Sequence, residues 1–65
     1  MHRLRELRKE RGLTMIEFAD DLFIHPRTVH RCESGTSEPV LSTLIRMADY
    51  FKVSIDYLVG KSDVR

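Results

Sequence analysis

The sequence predicts an all-α fold, a compact bundle of five short helices, and three observations lead there. The breakers Gly12, Pro26, Gly35, Pro39 and Gly60 cut the 65 residues into five short segments. Within each segment the apolar residues recur at i and i+3, with i+4 added in the second and fourth, the period of a helix rather than the alternation of a strand. No staple is evident: the one cysteine, Cys32, cannot form an internal disulfide, and with three histidines it does not supply a four-ligand zinc site. Helix packing must therefore hold the fold. The length leaves room for one domain, residues 1–65, because below ~70–80 residues a single core rarely supplies more than ~3–5 kcal/mol. The expected helices cover about 2–11, 15–22, 26–34, 40–51 and 55–59.

In the first segment Leu4 and Leu7 stand at i, i+3 among good helix formers, and Gly12 is the expected C-terminal stop. Arg8 falls on the same apolar side, where it must either reach outward or be paired, because an unpaired buried charge is very costly. Thr14 and Glu17 have the spacing of a capping box and start the second helix. Met15, Phe18, Ala19 and Leu22 then form one stripe at i, i+3, i+4 and i+7. Only Phe23, Ile24 and His25 separate Leu22 from Pro26, and proline favours the first helical position because its missing N–H had no partner there. A tight helix-to-helix turn follows.

The third segment has two faces, Val29 and Cys32 on one, Arg27, His30, Arg31 and Ser34 on the other, and it ends at Gly35. In the fourth, Leu41, Leu44, Ile45, Ala48 and Phe51 make the expected core stripe. Ser54 is the expected N-cap of a last short helix carrying Ile55 and Leu58, with Asp56 near its positive end.

Hydrophobic residues make up 42% and charged residues 32% of the chain, enough apolar material for a core and too little unbalanced charge for a disordered tail. No run of 18 apolar residues and no secretory leader occurs, so a cytoplasmic protein with no membrane partner is expected. The starting methionine and polar ending are those expected of a whole gene product. Net charge is +1 but uneven. Residues 1–13 hold five Arg/Lys against two Glu; residues 14–24 hold Glu17, Asp20 and Asp21 without a base; residues 25–32 hold His25, Arg27, His30 and Arg31 without an acid. A small positive island on a near-neutral chain confines anion contact to one face.

Two helices of about two turns, joined by three residues, with a basic stripe on the second, have the arrangement of a helix-turn-helix reader built on helices 2 and 3. A major groove roughly 12 Å wide admits one helix, whose first turn approaches the base edges. Arg27 lies in that turn and Arg31 one turn later, and the planar guanidinium matches guanine O6 and N7 with two parallel hydrogen bonds. His25, Pro26 and His30 complete the expected base-contacting set. Thr28, Ser34 and Thr36, short hydroxyls near the helix ends, are expected on phosphates, which position a protein without reading sequence.

The residues Leu-Arg-Lys-Glu-Arg-Gly-Leu-Thr at 7–14, Phe-Ala at 18–19, Thr-Val at 28–29, Glu-Ser-Gly at 33–35, Pro39 and Val-Ser-Ile-Asp-Tyr-Leu at 53–58 resemble one family. It is that of the lambda-repressor-like helix-turn-helix domains of phage repressors, Cro proteins and XRE-type bacterial regulators. The resemblance spans residues 3–60 and implies a prokaryotic or phage transcriptional regulator, a repressor that occupies a double-stranded DNA operator. It also implies that Arg8 pairs with Glu33, tying the first helix to the reading helix, and that half-sites lie about one helical turn, roughly 34 Å, apart. Four positions depart from the family pattern. Met15 replaces a glutamine that helps clamp a phosphate, so only its backbone N–H is left for that role. Phe23 replaces the glycine of the turn, where positive φ would strain a phenylalanine, so a local difference is expected. Cys32 replaces a larger residue and reads as a small buried hydrophobe. Ile16 replaces a polar residue on an exposed side.

The alternative is an antitoxin-like or anti-repressor module that uses the same fold to bind a protein. Tyr50, Tyr57 and Val59 lie outside the expected core stripe and are its candidate interface. A weak homodimer would form through the C-terminal helix or only on DNA. No metal, cofactor or small-molecule ligand is expected: His25 and His30, at i, i+5, fall on different sides of a helix. No enzyme is expected either, because a bundle this small rarely encloses a pocket in which nucleophile and base converge.

Overall fold

Five helices, α1 His2–Glu10, α2 Met15–Leu22, α3 Pro26–Ser34, α4 Leu41–Phe51 and α5 Ile55–Leu58, follow one another through short connections. The computed structural model describes residues 1–65, His2 by its backbone alone, and no strand occurs among the described residues. The fold is all-α, with α2 and α3 forming the helix-turn-helix.

Local chemistry sets the starts. Thr14 Oγ1 accepts the Glu17 N–H at 3.1 Å while Glu17 Oε1 accepts the Thr14 N–H at 2.9 Å, the reciprocal capping box of α2. Ser54 Oγ accepts the Tyr57 N–H at 3.0 Å at the head of α5. α4 has no side-chain cap and begins at Leu41, one residue later than the pattern suggests, because Val40 holds an extended backbone at ψ 158°.

One backbone motif ends the first four helices. The N–H groups of Leu13, Ile24, Thr36 and Val53 each donate to the carbonyl five residues back, on Arg8, Ala19, Arg31 and Ala48. Each closure needs a left-handed residue just before that donor. Gly12 and Gly35 supply it after α1 and α3, but Phe23 (φ 57°) and Lys52 (φ 56°) supply it after α2 and α4. The turn after α2 therefore keeps its left-handed shape, contrary to the expected local difference: the motif's hydrogen bonds hold Phe23 in it, at a strain of ~1–2 kcal/mol.

Phe18 is the centre of the core. Fully buried, it meets the Tyr50 ring edge-on at 5.3 Å and the Phe51 ring at 5.1 Å, locking α2 against α4. Leu4 and Leu7 of α1, Val29 and Cys32 of α3 and Leu58 of α5 complete it. Burial pushes the Cys32 thiol up, as for a small hydrophobe rather than a reactive cysteine.

Two expectations are corrected here. α4 buries Met47, Ala48 and Phe51 with Leu44 half-covered, and leaves Leu41 and Ile45 67% and 42% exposed. The two candidate stripes share Leu44, Ala48 and Phe51, and the helix is rotated toward the one containing Met47. Tyr57, read as a surface residue, is only 9% exposed. Arg3 and Arg65 stack over its ring at 4.2 and 5.2 Å. Arg65 in turn pairs with Glu10 at 2.6 Å, and Arg3 pairs with Asp63 at 2.5 Å and donates to the Tyr57 and Ser62 carbonyls. The last residues thus fold back over α1 and α5 and cover the tyrosine.

Candidate nucleic-acid interface

α3 is held from beneath and at its C-terminal end, and its start is capped. Val29 and Cys32 anchor its inner side in the core. At its C-terminal end, Arg8 Nε and Nη2 donate to the two oxygens of Glu33 at 2.6 and 3.1 Å, and Arg8 Nη1 donates to the Leu13 carbonyl at 2.7 Å. The two side chains are 8% and 3% exposed. Hydrogen bonding to Glu33 raises the Arg8 guanidinium above its ordinary value. One arginine thus joins α1, the loop after it and α3.

At the other end His25 precedes Pro26, and its Nδ1 accepts the Arg27 N–H at 3.0 Å. Histidine is the N-cap of α3. Sequence reading had given it only a contact with bases, since Ser, Thr, Asp and Asn are the usual caps. The bond puts the ring proton of the neutral form on Nε2, which leaves one donor for an outside partner.

The outward side of α3 carries Arg27, His30 and Arg31, all exposed, with Pro26 and Thr28 half-buried beside them. None of the three exposed side chains has a hydrogen bond or ion pair among the described residues. Ser34 and Thr36 follow, but their hydroxyls are engaged: Ser34 Oγ lies 3.2 Å from the Arg31 carbonyl and 2.9 Å from Thr36 Oγ1. The Thr36 amide also donates to the Arg31 carbonyl. Either residue would have to give up a local bond to donate to a phosphate. Met15 is half-buried in the first turn of α2, where the helix leaves its amide unused.

The other expected contact residues lie elsewhere. Tyr50 is half-buried, with its hydroxyl donating to Asp21 at 2.6 Å, and Tyr57 is in the core, so of that trio only Val59 stands exposed. The larger apolar surface is one the sequence pattern had assigned to the core: Leu41 and Ile45, continued by Val40. Sequence reading also missed Arg46, which donates to the Leu22 carbonyl and ties α4 to the turn. An arginine next to apolar residues on an amphipathic helix gave no sign of that contact.

A family model described as helix-turn-helix matches residues 4–58. The chain belongs to the helix-turn-helix family. It is 36% identical over 62 residues to the HTH-type transcriptional regulator ImmR of Bacillus subtilis (strain 168), a match covering 95% of this chain and 49% of the relative. It is likewise 36% identical over 61 residues, 94% of this chain and 54% of the relative, to YobD of the same organism, described as an uncharacterized HTH-type transcriptional regulator. To the cryptic phage CTXphi transcriptional repressor RstR of Vibrio cholerae it is 34% identical over 59 residues, 91% of this chain and 53% of the repressor. The chain spans about half the length of these curated relatives. No solved structure matches it.

Proposed function

We propose that this chain is a sequence-specific, double-stranded DNA-binding transcriptional regulator, a repressor that acts in the cytoplasm by occupying its operator. The observation that carries the reading is the stripe Arg27, His30 and Arg31, whose side chains are unpartnered among the described residues, on the exposed side of a helix capped at its start and clamped to α1 at its end. A rigid helix can hold two guanidinium forks in register with base edges, whereas arginines on a mobile segment would lose that geometry. In this reading Arg27 and Arg31 take guanines, His30 and the Nε2–H of His25 face acceptors, and Pro26 meets the apolar edge of a base. Thr28, the Met15 amide, Ser34 and Thr36 face phosphates, Ser34 after releasing the Arg31 carbonyl and Thr36 after releasing Ser34. The naming of the relatives as transcriptional regulators and a phage repressor supports the same reading.

A second copy of the chain fits the exposed aliphatic surface of Val40, Leu41, Ile45 and Val59. The adjoining groove between α4 and α5 is lined by Leu44 and Ile55 together with Glu38, Asp56 and Lys61. Charges of both signs on one patch suit a two-fold interface, in which each residue meets its counterpart's opposite. With so small a patch the dimer forms weakly in free solution and is completed on DNA; sedimentation showing a tight dimer at nanomolar concentration would contradict this.

The experiment is selection of bound duplexes from a random library at two salt concentrations. Enrichment of a two-fold-symmetric motif, with affinity falling steeply as salt rises, is expected, because phosphate contacts release counterions. No enrichment and no salt dependence would put the protein-binding alternative ahead.

A further inference from the structure

The eight arginines divide by what holds them. Arg3 pairs with Asp63, Arg8 with Glu33 and Arg65 with Glu10; Arg11 lies over the rings of Tyr50 and Phe51, and Arg46 donates to the Leu22 carbonyl. The side chains of three others, Arg5, Arg27 and Arg31, have no ion pair, hydrogen bond or ring contact among the described residues. Two of the three form the outward stripe of α3. The third is on α1, yet it lines a cleft with His30 and Ser34 of α3, Met15 of α2 and the buried pair Arg8 and Glu33.

The charge of this cleft is set by Arg5. Glu33 is the acid among its lining residues, and Arg8 neutralises it through two hydrogen bonds. What remains is one uncommitted guanidinium, beside a histidine and a hydroxyl belonging to the helix that reads DNA. Such a fork, with its donors in one plane, matches the oxygens of a phosphate.

We propose that this cleft seats one backbone phosphate of the duplex and that Arg5 is its cation, a contact from α1 that fixes the angle at which α3 enters the groove. The proposal rests on the DNA-binding reading above. It adds a residue outside the helix-turn-helix to the DNA face, and it gives that residue a positioning role rather than a reading one.

The test measures affinity of the whole chain for a duplex bearing its selected motif and for an unrelated duplex, across a range of salt. Arg5→Gln should weaken both by the same factor, about fivefold at 0.15 M salt, and should make the slope of log affinity against log salt shallower by about 0.9, the value of one phosphate contact. Arg5→Lys should restore the slope, and neither variant should change the melting temperature, since the Arg5 side chain has no partner among the described residues. An unchanged slope in Arg5→Gln, with the wild type still steeply salt-dependent, overturns the Arg5 assignment and leaves the DNA-binding reading standing. Loss confined to the selected motif makes Arg5 a base reader and overturns the phosphate seat. A wild type whose affinity for either duplex shows no salt dependence overturns both.

Discussion

The outward side of α3 and the exposed side of α4 and α5 are both surfaces that the chain does not satisfy by itself, but they differ in chemistry. α3 presents Arg27 and Arg31, cations that water solvates well, with His30 beside them, on a helix capped at its start and tied to α1 at its end. The other side presents Val40, Leu41 and Ile45, which water solvates poorly. The first suits a polyanion and costs the free protein little; the second suits an apolar partner and favours association for its own sake. The helix ends separate them further. α3 begins on a side-chain cap and ends on a buried ion pair, while α4 begins uncapped at Val40.

The largest test of that contrast is removal of the clamp. Glu33→Ala leaves the Arg8 guanidinium buried without its carboxylate and should destabilise the fold by ~3–5 kcal/mol. That is enough to lower the melting temperature by tens of degrees or abolish the folded state in a domain of this size. Thermal unfolding followed by circular dichroism checks it, and a wild-type transition would show that the pair does not hold α3. Next is the outward side of α3: Arg27→Ala should weaken binding to the selected duplex by ~1–3 kcal/mol and relax preference at one base pair. Equal weakening on all duplexes would make Arg27 a phosphate contact instead.

Smaller effects probe the ends of the helices. His25→Ala removes the cap of α3 and should lower stability by about 1 kcal/mol, while His25→Asn, which can cap in the same way, should keep most of it. Equal melting temperatures for the two would deny the cap. Phe23→Gly should act in the other direction. The phenylalanine is 90% exposed, so little packing is lost, and relief of its left-handed strain should stabilise the fold by about 1 kcal/mol, a rise of ~4–8 °C. A fall in melting temperature would mean that the ring contributes more than its exposure implies.

The smallest effect is on pH. The Tyr50 hydroxyl donates to Asp21, and this bond, with burial, holds the phenol above its ordinary range. The fold therefore favours the protonated form, so its contribution is complete below about pH 10 and is lost as pH rises through the raised value. Melting temperatures of wild type and Tyr50→Phe should converge as pH rises from 8 to 11; a constant difference would exclude the bond as its source.

Much of the fold was legible because its starts and stops are written in residues with one mechanism each. Thr14 with Glu17, Pro26, Gly35 and Ser54 mark boundaries that the backbone observes. What was not legible depends on tertiary choice. Residues 41 to 51 contain two overlapping apolar stripes, and only the packing of Phe51 and Met47 against Phe18 and its neighbours decides which one turns inward. Lys52 gives no sign of its left-handed backbone, because the need arises from the closing hydrogen bond and not from the side chain. Tyr57 looked like a surface residue until Arg3 and Arg65, far from it in sequence, covered its ring. The stripe of α3 was legible because it is local, whereas the cleft at Arg5 joins three helices that spacing alone cannot bring together.

The most direct measurement is residue-by-residue mapping of the surface on which DNA lies. In a nuclear magnetic resonance titration of the labelled chain with its selected duplex, the largest shift changes should fall on Arg27, Thr28, His30, Arg31 and Arg5, with Val40 and Leu41 changing only as far as a second copy joins. Changes centred on α4 and α5, with α3 unmoved, would contradict the account.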